Sequence, residues 1–173
     1  IPIEKTWKAM EISAAEGLCR HLGVSNFSIA KLKSLLAHAE IRPEVNQIEL
    51  HPYLQQPAML EICRENVIHL TAYAPLGSAD RPSRLKVDGE PVLMEEETIG
   101  EIAQTLDATP AQVLISWAIQ RKTSVIPKSV NPERLRQNFE AAALTLSEEQ
   151  MQRIEKLDQH RRYISGEFWT MGG

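Results

Sequence analysis

The chain has 173 residues, a formal net charge of −4 and a pI near 5.8. That length suits one domain with a real core. The acidic balance and scattered Lys and Arg argue against a nucleic-acid surface.

The first segment, about Ile3 to Glu16, reads as a helix without an obvious cap, as if the chain starts mid-element, and Gly17 ends it. His21 to Val24 is a short strand closed by Ser25-Asn26. Cys19 and Cys63 lack CxxC or metal spacing, so they read as buried thiols of a reducing compartment. Ser28 caps a helix with Ile29, Leu32, Leu35 and Leu36 on one face. Val45 to His51 alternates as a strand ending at Pro52, and Pro57 to Glu65 is helical. Ile68 to Tyr73 is a third strand, ending at Pro75-Leu76-Gly77. A loop follows over about Ser78 to Leu93. Helices are expected over about Glu95 to Leu106 and Pro110 to Arg121, the second opened by the Thr109 capping box and packed through Val113, Leu114, Trp117 and Ala118. Thr123 to Pro127 is the fourth strand, and a helix runs from Pro132 to about Ala142. Ser147 opens a last helix through another capping box, with Met151, Ile154 and Leu157 inward. The tail, Ser165 to Gly173, reads as irregular, with Phe168 and Trp169 either packing it down or lining a pocket. No signal peptide and no bilayer-length apolar run is visible, which makes a soluble cytoplasmic protein the expectation.

Strands alternating with helices imply parallel pairing through right-handed crossovers. Such sheets bind ligands at the C-terminal ends of their strands. The residues there are Ser25-Asn26, then Gln47, Glu49 and His51, then Tyr73, then Lys128-Ser129. That set suits a heteroaromatic ring with an amide and a phosphorylated tail. The last strand end is the most telling. Asn131 suits an N-cap and Pro132 the first helical position. Arg134 then lies in the first turn, where a cation opposes the helix dipole unless an anion sits nearby. With the N–H groups of the helix start, Lys128, Ser129 and Arg134 make a phosphate seat. The alternative is an ordinary βα turn with solvated charges. Blander readings hold elsewhere: Glu49 as barrel filler, His51 as a structural histidine, Trp117 as core.

Four segments occur in order: Gly23-Val24-Ser25-Asn26-Phe27, Val45 to Tyr53, Ala72 to Ser78, and Ile126-Pro127-Lys128-Ser129-Val130, followed by Arg134 and Gln137-Asn138. Together they resemble the C-terminal half of an aldo-keto reductase, over about Thr6 to Leu157. The resemblance implies a (β/α)8 TIM barrel to which residues 1–173 contribute strands five to eight as the C-terminal half of one domain. It implies NADP(H) as cofactor and reduction of an aldehyde or ketone by hydride transfer. Ser25, Asn26 and Gln47 match residues that bond the nicotinamide carboxamide, and Tyr73 matches the ring stacked on the nicotinamide. Leu76, Ser78 and Asp80 match the loop over the pyrophosphate. Lys128, Ser129 and Arg134 match contacts to the 2′-phosphate; Asn138 matches an adenine contact, with Gln137 beside it.

The chain departs from the family at Ala74, where many members carry Ser, and at Gln137, where many carry Glu. No segment matches the family's catalytic tetrad of Asp, Tyr, Lys and His, so no catalytic residue is assigned here. His51 and Tyr53 match a strand-six position and its loop instead. The expected partners are a small carbonyl substrate and an N-terminal half of the barrel. The rival reading is a non-catalytic NADP(H)-binding or regulatory subunit resembling a reductase. A doubly wound sheet is disfavoured because no GxGxxG follows the first strand.

Overall fold

The computed structural model describes residues 1–164. The tail with Phe168 and Trp169 lies outside the described residues. Four strands, β1 (Gly23–Ser25), β2 (Val45–Glu49), β3 (His69–Tyr73) and β4 (Ser124–Val125), form one sheet in the order β1-β2-β3-β4. Each sheet neighbour is also the chain neighbour, as successive strand–helix–strand crossovers dictate. The chain divides into two compact units. Of the described residues, one holds Ile1–Ile48 and Pro57–Thr71; the other holds Glu49–Gln56 and residues 72–164.

In the first unit, α1 (Ile3–Ala15), α2 (Ile29–Leu36) and α3 (Pro57–Glu65) accompany β1 and the starts of β2 and β3. Ser28 caps α2 by accepting the Lys31 N–H. β1 and β2 are parallel, with Gly23 opposite Val45 and Ser25 opposite Gln47. The pairing therefore sits later than the expected His21 to Val24. Pro43 has no N–H to donate, so the ladder cannot extend back past it. Trp7, Leu22 and Leu35 form a core against which Ile3, Met10, Val24 and Phe27 pack. Cys63 is buried, as expected, and burial pushes its thiol up to about 11. Cys19 is only half-buried, at the edge of the Trp7 cluster, which corrects that expectation.

The second unit contains α4 (Glu97–Thr105), α5 (Pro110–Gln120), α6 (Pro132–Glu140) and α7 (Glu148–Glu155), with the ends of β2 and β3 and all of β4. Both capping boxes, at Thr109 and Ser147, form as read. α5 buries more than the expected stripe: Val113 through Ala118 are all buried, including Ile115 and Ser116. A helix apolar nearly all round goes inside. The Ser116 hydroxyl is satisfied there by the Leu144 carbonyl at 2.6 Å. All four strands are shorter than expected, β2 and β4 by more than one residue. β2 ends at Glu49, because His51 leaves the ladder to exchange backbone bonds with Leu54 around Pro52. β4 has two residues, because the Thr123 N–H and hydroxyl turn back to the Ala118 carbonyl at the end of α5. The loop after β3 is not featureless; it holds 3-10 turns at Ser83–Leu85 and Leu93–Glu95, and the second delays α4 to Glu97. Among the described residues, no helix is long and apolar enough to cross a membrane.

Glu11 shows how α1 is fastened. Its side chain accepts the backbone N–H of Glu40 at 2.7 Å and of Ile41 at 2.9 Å, with Lys8 at 3.4 Å. The Ile41 N–H above all holds this carboxyl below its usual range, against the opposing effect of burial. A depressed folded-state pKa gives stability present above the unfolded carboxylate pKa and lost as pH falls through the folded value. Glu11→Gln should therefore lower the melting temperature near neutral pH, and the gap should close in acid, below about pH 4. Melts of both proteins across pH check this; a gap independent of pH contradicts it.

Candidate functional site

A cavity of about 350 Å³ opens in the second unit at the ends of β3 and β4. Leu76, Ser78 and Asp80 line it from the loop after β3, and Lys128, Ser129, Arg134 and Asn138 from the chain after β4. Seven of the residues picked from the sequence thus converge. Apart from Asn131, the rest of the wall is apolar and includes Pro75, Met94, Ala111, Ile126 and Val130. Met94 and Ala111 were not foreseen: Met94 belongs to a 3-10 turn, and the motif at Ala111 signals only a helix start. Gln137 does not line it; its amide donates to Glu133 at 3.1 Å.

The helix start differs in one respect from the simple expectation of free N–H groups. The Asn131 side chain already accepts the N–H groups of Glu133 at 2.9 Å and Arg134 at 3.2 Å. The side-chain cations therefore matter more than the backbone donors. Lys128 meets Asp80 at 3.4 Å across the cavity. Both side chains are more than two-thirds exposed, and such pairs contribute about 0–1 kcal/mol. A doubly charged ligand can displace this pair. On the outer face of α6, Arg136 is held by Glu133 at 2.6 Å and Glu140 at 2.9 Å. Arg134 has no such partner: among the described residues its guanidinium makes no ion pair, although it sits in the first turn of a helix.

The remaining candidates lie at strand ends. In the first unit, Ser25 and Gln47 are opposite each other, with the Ser25 hydroxyl donating to the Gln47 carbonyl at 3.0 Å. The Asn26 N–H reaches the same carbonyl at 2.9 Å, and its side-chain amide reaches Ser25 Oγ at 3.1 Å. Asn26 has φ 58°, a left-handed conformation that asparagine tolerates better than most. These bonds tie the Ser25 and Asn26 side chains to each other and to the Gln47 backbone. In the second unit, Tyr73 is half-buried at the end of β3, just before Ala74, whose φ is 51°. Burial pushes the Tyr73 hydroxyl up to about 12, and the charge of Glu49 adds to this, so the ring stays neutral; Arg162 and the Glu49 backbone pull the other way.

Glu49 and His51 are fully buried, as a filler and a structural histidine would be, but Glu49 is more than filler. Its carboxylate accepts from His51 Nε2 at 3.0 Å, the Tyr163 N–H at 2.6 Å, the Ile164 N–H at 3.3 Å and Arg162 at 3.3 Å. The sequence carried no signal for these bonds. Apart from His51, the partners lie more than 110 residues away.

The loop between β3 and α4 turns at Gly77, with φ 83°. A Cβ there would stand 2.9 Å from Leu93 Cβ and 3.2 Å from the Tyr163 ring. Gly77→Ala should therefore cost about 1–3 kcal/mol through backbone strain, before any clash. Denaturant melts measure it; unchanged stability would show that the turn relaxes freely.

The aldo/keto reductase family model matches residues 1–159. An aldo/keto reductase of Synechocystis sp. is 53% identical over 171 residues, covering 99% of this chain and 52% of that protein. Aldo-keto reductase family 1 member A1 of Sus scrofa is 43% identical over 159 residues, 92% of this chain and 48% of its own length. Its Homo sapiens counterpart is 42% identical over 161 residues, 93% and 49% respectively. The chain spans about half the length of the curated relatives it matches. With the match running through every strand and every helix described above, the chain belongs to the aldo/keto reductase family.

Proposed function

We propose that this chain is the cofactor-binding half of an NADPH-dependent reductase of aldehydes and ketones, contributing strands five to eight of a (β/α)8 barrel. The observation that carries the cofactor reading is Arg134, which makes no ion pair among the described residues, in the first turn of α6 and on the wall of the cavity with Lys128 and Ser129. The helix dipole disfavours a cation there, and a bound anion reverses that balance. Binding of the 2′-phosphate by these three side chains supplies the anion. The apolar wall and Asn138 suit the adenosine portion, while Leu76, Ser78 and Asp80 flank the pyrophosphate.

The cofactor, when bound, supplies a hydride to the carbonyl carbon. The chain's own residues orient it. Ser25, Asn26 and Gln47 bond the carboxamide and set which face of the ring is presented. The neutral Tyr73 ring stacks against the other face. The carbonyl oxygen then needs a positioned proton donor. No residue here matches the family's donor, so the reading places that donor on an N-terminal half. Exposed apolar side chains on α6 support such a partner: Phe139 is 84% exposed and Leu135 48%, and the helix buries no residue.

Arg134→Ala in the complete protein should weaken NADPH binding by about 1.5–3 kcal/mol, the range for bonds to charged groups, and leave NADH nearly unchanged. Fluorescence titration with both nucleotides measures it. Equal losses for the two would remove the 2′-phosphate role.

A further inference from the structure

The buried carboxylate of Glu49 is the most demanding group in the second unit. Its side chain is 0% exposed, and a carboxylate without water must be surrounded by donors. One donor is local: His51 Nε2 at 3.0 Å, which must carry the proton to reach a carboxylate. The others all come from residues 162–164: the N–H groups of Tyr163 and Ile164 and the Arg162 guanidinium. Glu49 is thus the point at which the segment after α7 is fastened to the end of β2.

Tyr163 carries that fastening onward. Its hydroxyl donates to the Pro91 carbonyl at 2.7 Å. The Arg81 guanidinium lies 5.0 Å over its ring, a cation–π contact. Arg81 is nearly buried, pairs with Glu90, and donates to the Ser78 and Leu85 carbonyls at 3.1 Å each. Residues 78–91 are thereby wrapped around one tyrosine, and Ser78 and Asp80 of the same loop line the cavity. Arg162, held by Glu49 at 3.3 Å, also contacts the Tyr73 hydroxyl.

We propose that Glu49 is a positioning residue that, by fastening residues 162–164, holds the 78–91 loop against the cavity through Tyr163 and steadies Tyr73 through Arg162, and so sets how long the cofactor stays bound. The proposal rests on the cofactor reading of the cavity. A carboxamide at this position keeps the size of the side chain but not its chemistry. It offers one acceptor oxygen where the carboxylate offers two, and turns an NH₂ toward donors.

The test uses Glu49→Gln in the complete protein, with two readouts. Hydrogen exchange without cofactor should show the amides of residues 78–91 and 163–164 exchanging about tenfold faster, the weight of roughly one lost bond to a charged group, while α2 amides are unchanged. Stopped-flow displacement of bound NADPH by excess NADP⁺ should show release about tenfold faster. If exchange rises uniformly, α2 included, the role is merely structural and the proposal is overturned. Faster loop exchange with unaltered release overturns the link to residence time. A wild-type protein that does not bind NADPH sinks the cofactor reading, and exchange alone then decides the fastening. Should Glu49→Gln fail to fold, Tyr163→Phe keeps the backbone bond to Glu49 and loses only the Pro91 bond. It should speed both loop exchange and release, and no change in either overturns the proposal.

Discussion

The constraint on which this structure turns is that a chain must leave a parallel strand abruptly to begin its crossover. Here the exits are made by left-handed residues and prolines: Asn26 at φ 58°, Ala74 at φ 51°, Gly77 at φ 83° and Ser78 at φ 48°, with Pro127 after β4. Such conformations are costly for residues other than glycine and persist only where surrounding contacts enforce them. The same short turns carry polar side chains of the candidate site, Asn26 and Ser78, beside those at the strand ends. Strain and chemistry therefore fall on the same few residues, which is the general logic of ligand sites at strand ends.

The site is built from two different kinds of interaction. The interior one is permanent: the Glu49 carboxylate is buried and surrounded by donors, so losing any partner leaves an expensive group unmet. The outer one is weak by comparison. Lys128 and Asp80 meet at 3.4 Å in water, and among the described residues Arg134 makes no ion pair. A rigid interior with loosely committed surface cations is what an anion-binding cavity requires, since the ligand replaces little that was favourable before it arrived.

Much of this was legible in the sequence. The caps at Ser28, Thr109, Asn131 and Ser147 are local signals, decided within three residues, and each forms as read. Strand existence followed from alternation; Lys128 and Ser129 followed from the rule that strand ends bind ligands, Arg134 from the helix start, and Leu76, Ser78, Asp80 and Asn138 from the family resemblance. Strand lengths were less legible, because they depend on partners: Pro43 trims β1 from across the ladder, and Thr123 shortens β4 by bonding back to α5. The bond from the Gln137 amide to Glu133, one helical turn away, was not legible either. The Glu49, Tyr163 and Arg81 linkage was illegible. No periodicity marks a carboxylate that, His51 aside, meets its donors more than 110 residues later.

The central claim is that this chain supplies cofactor contacts and an N-terminal half supplies the proton donor. NADPH oxidation with a simple aromatic aldehyde tests it most directly, measured on the 173-residue chain alone and on the chain reassembled with an N-terminal barrel half. The account predicts turnover only in the reassembled protein. Robust turnover by the purified chain alone would contradict it, and NADPH binding without turnover in the reassembled protein would favour a non-catalytic subunit instead.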